Sequence, residues 1–445
     1  MIGVRRIGLV SLYLFLVTVG CGQGQSQPGS DDPPSATSAV DSVETDRAAP
    51  EVSEFLPGPL GAVEVAPGQE IQIRSLNTIT GTTAFAGIPN QRGVELAIAD
   101  YGPIAGRSVS LGTPLDDFCS PDGGQAAAQT VVADPTVVGV IGTTCSSSAA
   151  AAMPLISAAG MVMISPSNAS PWLTSDMAGN VGSAYLPGYY RTCYNGLVQG
   201  RAVASFVRDY LGFDRAAAIH DGDAFTQGLA KSFADAFEEL GGVSTAVAAV
   251  NKGDTDMIGV LTGVGPGSPQ AVFLPIFMPE GGFIAQQIGG VSGLERVTLV
   301  GAAPLLVDDF MELPESEGAF LSGPDLRYGS NRNSITGASA DDFLAAYEAA
   351  YGEEPSTGFW AHAYDATIML LRAIDRVAID VEGTLHVDRQ ALREELDRTS
   401  FDGITGSIKC DEYGDCGAQR IAVVEHTDSR DVEAGKNNVV FEYAP

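Results

Sequence analysis

The sequence predicts an α/β fold built on mostly parallel sheets, and three observations carry that prediction. Apolar, often β-branched runs alternate with helix-patterned stretches once the chain passes Gly68. Several of these runs lead into a Gly-, Ser- or Thr-rich loop before the next helix. The last stretch, Gly406 to Tyr443, breaks the alternation and reads as short antiparallel strands joined by turns such as Asp411–Asp415. Taken in order, Ile71–Arg74 is a strand, then a Gly-rich loop and a helix over about Gly93–Asp100. Val137–Ile141 is a strand, followed by Thr143-Thr144-Cys145-Ser146 and an Ala-rich helix. Met161–Ile164 and Ala216–Ile219 are strands, the second leading into a helix over Gly228–Leu240. Ala271–Leu274 and Val297–Val300 are further strands, and Gly358–Val377 contains a long helix with apolar residues at helical spacing. No 20–50-residue repeat is present. Ligands of open α/β sheets sit beyond the carboxyl ends of strands, which directs attention to the loops after Ile73, Ile141, Ile164, Ile219, Leu274 and Val300.

The front of the chain concerns compartment rather than fold. Arg5 and Arg6 precede an apolar run, Ile7–Val19, too short for a bilayer that needs about 20 apolar residues and suited to a signal-peptide core. The run ends in Thr18-Val19-Gly20-Cys21, which resembles a bacterial lipobox with Thr18 in place of the usual Leu. Residues 1–21 are therefore expected to be a lipoprotein signal, with Cys21 the lipidated residue. An ordinary secretory cleavage is the rival reading. Residues 22–68 are rich in Ser, Pro, Gly, Asp and Glu and are expected to form a disordered tether, since such a segment buries too little to offset its ordering entropy. A formal net charge of −31 argues against nucleic acid and anionic lipid as partners, which both call for basic patches. No second long apolar segment follows.

Four stretches carry a family resemblance. One is Gly81-(x5)-Gly87-(x5)-Gly93 followed by Val94-Glu95-Leu96-Ala97-Ile98. Another runs from Asp116-Asp117-Phe118-Cys119 to Val140-Ile141-Gly142-Thr143-Thr144-Cys145-Ser146-Ser147-Ser148. The third is Met163-Ile164-Ser165-Pro166-Ser167-Asn168-Ala169-Ser170-Pro171. The fourth joins Ile219-His220-Asp221 and Gly228-Leu229-Ala230 to Ala363-Tyr364-Asp365-Ala366. In this order and spacing the chain resembles the leucine/isoleucine/valine-binding family of periplasmic proteins, from about Ile71 to Val440. The resemblance implies the type I periplasmic binding fold: two α/β lobes, three hinge crossovers and a ligand between them. The crossovers are expected near Tyr190–Cys193, Leu321–Leu326 and Phe401–Gly406. Lobe one is then 69–190 plus 322–402, and lobe two is 191–321 plus 403–445.

The site residues follow from the same resemblance. Ser146–Ser148 lie where a strand ends and a helix begins, a place that favours anions. On the residues alone Ser146 reads equally well as a helix N-cap; the resemblance makes it the contact for a ligand carboxylate, with Ser147 beside it. Ser167, Asn168 and Ala169 form the second half of that pocket, with Ala169 standing where the family has a threonine hydroxyl. From lobe two, Phe225 and Phe277 match aromatics that cover the ligand, and Phe85 and Ala86 are similarly placed in the first loop. Ala303 falls where the family carries the acid that holds a ligand ammonium. A plain α-amino acid should therefore bind weakly unless another acid, Asp223 or Glu280, compensates. The expected ligand is a carboxylate with an apolar body, either an amino acid held unusually or a compound lacking the amine.

The resemblance also implies a Cys119–Cys145 disulfide, which export permits. Cys410 and Cys416 flank a turn and are paired with each other. Cys193 is left as a buried thiol. Metal is the rival for the four paired cysteines, but the chain has four histidines and none clusters with them in sequence. No nucleophile elbow, zinc-protease motif or Walker loop is present, and no cofactor is implied. His220 and His362 read as isolated core histidines, and Asp116-Asp117 as acids at a strand end. The expected function is the extracytoplasmic, lipid-anchored solute-binding component of an ABC importer, docking on a membrane permease. The alternative is a ligand-sensing receptor module of the same fold.

Overall fold

The computed structural model describes residues 54–445, which lie in one contact unit, Val52–Pro445. The signal segment, Cys21 and most of the expected tether lie outside the described residues.

Two sheets organise the chain. The first has strand order Val109–Ser110, Ile71–Asn77, Val137–Gly142, Val162–Ser165, Tyr189–Arg191, all parallel, with Leu115–Asp116 also pairing with Ile71–Asn77. Val137–Gly142 is buried at every position, as expected of a strand covered on both faces. The period-two rule shows directly in the next strand region. Val162 and Ile164 belong to the core containing helix Trp360–Val377, whereas Met161 and Met163 belong to the core beneath helices Pro121–Val132 and Ser146–Ala158. The second sheet orders Val439–Tyr443, Ile421–Glu425, Phe320–Pro324, Thr298–Gly301, Ala271–Leu274, Arg215–His220, Val243–Ala249. Its first two strands are antiparallel to their neighbours and the rest run parallel.

The glycine motif has a packing cause. Helix Ala84–Tyr101 starts well before the expected Gly93 and passes over the end of the first strand. A Cβ on Gly87 would lie 1.9 Å from the Thr78 carbonyl oxygen, and one on Gly93 would lie 2.8 Å from that of Trp360. Only glycine permits both approaches.

The domain expectations need three adjustments. Ala62–Val65, assigned to the tether, is a strand paired antiparallel with Thr384–Asp388; Val63 and Val65 are buried in the first core, and the alternation of AVEV is what places them there. Phe320–Pro324 continues the second sheet past residue 321. The hairpin of Ser400–Gly403 and Gly406–Lys409 contributes Phe401, Ile404 and Ile408 to the first core, so 403–416 packs with lobe one and the chain returns to the second sheet at Ile421. Asp365, from the fourth family stretch, pins that hairpin turn. It is fully buried and accepts hydrogen bonds from the N–H groups of Ile404 and Thr405, the Thr405 hydroxyl and Asn333 Nδ2 at 2.8–3.0 Å.

At the first crossover, Arg191 is fully buried. It donates to the carbonyls of Asn168 and Ser170, each at 2.8 Å, and to Thr174 Oγ1 at 2.7 Å, and it pairs with Asp415. One guanidinium thus ties the 168–170 loop to the segment closed by the Cys410–Cys416 disulfide.

Candidate functional site

The loop after Val137–Gly142 is held from below by Asp117. This buried carboxylate accepts hydrogen bonds from the Thr144 and Cys119 N–H groups, each at 2.8 Å, and from the Thr78 hydroxyl. Burial pushes its pKa up to about 6, against the opposing pull of those donors. Thr143 Oγ1 donates to the Cys145 carbonyl at 2.8 Å, and Cys145 is bonded to Cys119 with Cα atoms 5.1 Å apart. The helix that follows, Ser146–Ala158, has no side-chain cap at its N-terminus. The Ser146 hydroxyl accepts the Ser170 N–H at 3.4 Å, leaving its own proton to donate.

Ser146 lines a small cavity where the two lobes meet. Lobe one supplies Phe85, Ala86, Thr144, Cys145, Ser146, Ser167, Thr357 and Phe359; lobe two supplies Phe225, Phe277, Ala303 and Pro304. The Phe225 and Phe277 rings, both lining the cavity, are tilted at 59° with centroids 6.4 Å apart. The cavity volume is about 40 Å³, close to the space of a single water, so anything larger enters by parting the lobes. A second chamber of about 950 Å³ adjoins it and shares Phe277; Ser147, Asp221, Asp223, Lys252 and Glu280 line it.

The structure therefore brings Ser146, Ser167, Phe225, Phe277, Ala303, Phe85 and Ala86 to one place. Ser147 instead faces the larger chamber. Asn168 and Ala169 do not reach the cavity. Asn168 is fully buried, with Nδ2 on the Thr143 carbonyl and Oδ1 accepting from the Tyr189 hydroxyl, while the Ala169 carbonyl accepts the Gly196 N–H. Their polar atoms brace the loop rather than a ligand. Ser167 lines the cavity, but its hydroxyl donates to the Thr144 carbonyl and accepts from Asn90. Asp223 and Glu280 lie in the larger chamber. Asp223 caps helix Ala224–Glu239 through the Phe225 N–H, and Glu280 accepts the Gly253 N–H at 2.6 Å. The Asp-before-helix signal was legible at Asp223, yet the helix was expected to start only at Gly228. Thr357 and Phe359 were not expected; they sit in a Ser-Thr-Gly-Phe turn that gives no local sign of a cavity. Cys193 is a buried free thiol. Among the described residues, no group of three or more His, Cys, Asp and Glu is placed to hold a metal ion, and no helix is long and apolar enough to cross a membrane.

Comparison with known proteins places the fold in a family. The family model for periplasmic binding proteins matches residues 70–431. A leucine-, isoleucine-, valine-, threonine- and alanine-binding protein of Pseudomonas aeruginosa is 25% identical over 78% of this chain and 87% of its own. A Leu/Ile/Val-binding protein of Rhizobium johnstonii is 26% identical over 77% of this chain and 90% of its own. Among solved structures, the leucine-binding protein LivK of Thermotoga maritima superposes with a TM-score of 0.69 at 24% identity, covering 84% of this chain and 99% of that one. A solute-binding protein from R. palustris in complex with benzoate gives 0.67 at 19% identity, over 84% and 98%. The chain belongs to the periplasmic binding protein family, a family of extracytoplasmic substrate-binding proteins of ABC transporters rather than of enzymes.

Proposed function

We propose that the protein is the solute-capturing lipoprotein of an ABC importer, taking a small carboxylate of the amino-acid class by closure of its two lobes. The observation that carries this reading is the inner cavity itself. One wall presents a Ser hydroxyl at an uncapped helix start from lobe one, and the other presents two phenyl rings from lobe two. A ligand favours closure only by touching both walls, because it shifts the equilibrium by its differential affinity. The curated relatives, named for leucine, isoleucine and valine, set the size of ligand expected. The lipid anchor rests on Gly20-Cys21 behind a short apolar run, and Cys21→Ser should release the protein from membranes; unchanged membrane fractionation would remove the anchor. Calorimetric titration with a panel of amino acids and small carboxylates tests the site. One compound should bind at 1:1 without turnover, and Ser146→Ala should weaken it about tenfold or more, the loss of one hydrogen bond to a charged group. Binding insensitive to Ser146→Ala would contradict the site.

A further inference from the structure

The reading above leaves open whether the amino-acid-like carboxylate bears an amine, and the following inference rests on it. We infer that the inner cavity selects a small monocarboxylate that carries no ammonium group. An α-amino acid brings a cation with its carboxylate, and a buried ammonium without a partner costs several kcal/mol. No Asp or Glu lines the inner cavity, and lobe two presents Ala303 and Pro304 there. Two of the lining residues' carbonyls already accept hydrogen bonds. That of Thr144 accepts the Ser167 hydroxyl, and that of Cys145 accepts Thr143 Oγ1 and the Ala149 N–H. The acids of the adjoining chamber, Asp221, Asp223 and Glu280, do not line the inner cavity, and the last two are engaged. Asp223 accepts the Phe225 N–H and the Ser147 hydroxyl, and Glu280 accepts the Gly253 N–H. Lys252 Nζ lies 5.7 Å from the centroid of the Phe277 ring, on the side of the larger chamber. The acid-free lining disfavours an ammonium, and the Ser146 hydroxyl at the helix start suits a carboxylate.

Thr357 refines the class. Its Oγ1 is buried without a hydrogen-bond partner, and the residue lines the inner cavity. An unpaired buried hydroxyl costs about 1–3 kcal/mol, which one uncharged oxo or hydroxyl substituent on the ligand would recover. The rest of the wall is largely phenyl, from Phe85, Phe225, Phe277 and Phe359. The preferred ligand is thus an apolar-bodied oxo or hydroxy acid, aliphatic or aromatic.

Titration of the mature protein with two matched pairs decides the matter: leucine against 4-methyl-2-oxopentanoate, and phenylalanine against phenylpyruvate. At least one oxo acid should bind about tenfold or more tighter than its amino acid, the aliphatic and aromatic arms showing which body fits. Thr357→Val should then abolish the preference for that oxo acid over its analogue without the oxo group; a retained preference would overturn the assignment of Thr357. Tighter binding of either amino acid, lost in Ser146→Ala, would overturn the inference while leaving the cavity as the site. Binding of none of the four would overturn the site reading along with it.

Discussion

Ser147 Oγ donates a 2.6 Å hydrogen bond to Asp223 Oδ2 across the cleft, joining the first turn of one lobe's helix to the N-cap of the other's. A hydrogen bond to a charged acceptor contributes about 1.5–3 kcal/mol, and this one exists only while the lobes touch. It therefore biases the hinge independently of any ligand. Ser147→Ala should weaken apparent ligand affinity about tenfold while moving global stability by about 0.5 kcal/mol or less. Calorimetry on the variant checks this, and unchanged affinity would mean that the contact does not contribute to closure.

Arg191 makes the hinge a polar core. Its partners are Asp415, two carbonyls and Thr174, so replacing it leaves a carboxylate buried without its cation. Arg191→Met should destabilise the protein by about 3–5 kcal/mol. Urea denaturation measures that directly, and a loss under about 1 kcal/mol would show that the pair contributes little beyond its own desolvation.

His362 should make stability fall in acid. Its Nδ1 lies 2.9 Å from the Thr192 carbonyl, which fixes Nδ1–H as the donor, and Nε2 is buried without a partner. Burial lowers its pKa from 6.5 to about 4. The neutral form is thus favoured in the fold. The stability it contributes is complete above pH 6.5 and is lost as the pH falls through about 4, an effect of about 3 kcal/mol. Histidine NMR should show a midpoint far below 6.5; an ordinary midpoint would contradict the burial argument.

The Cys119–Cys145 bond closes a loop with a sequence separation of 26 around Asp117 and the Ser146 helix start. In the chain-entropy model it contributes about 3–4 kcal/mol. Non-reducing peptide mapping should recover the linked pair, and replacing both residues with Ser should lower denaturation midpoints and weaken ligand binding together. Loss of stability with intact affinity would mean that Asp117 alone positions the loop.

What could be read from the chain depended on whether the cause was local. Val137–Gly142 announced itself because a doubly covered strand must be apolar throughout. Ala62–Val65 did not, since its alternation spans only four residues beside a Pro- and Gly-rich stretch and needs Thr384–Asp388 to pair with it. Helix Ala84–Tyr101 was shortened in the reading by Gly87 and Pro89, a glycine required by contact with Thr78 and a proline within the helix. At the site, Ser146, Phe225, Phe277 and Ala303 were placed through the resemblance. Asn168 was misplaced because a polar residue in a ligand-side loop looks the same whether it faces a ligand or braces the backbone. Thr357 was invisible, since its place on the cavity wall comes from contact with residues far away in sequence.

The most direct test of the account is mass spectrometry of small molecules released when protein purified from its native host is denatured. One predominant compound is expected, a monocarboxylate with an apolar body and no amine, recovered from the wild type and strongly depleted from Ser146→Ala. An α-amino acid released equally from both proteins would contradict both the cavity and the chemistry assigned to it.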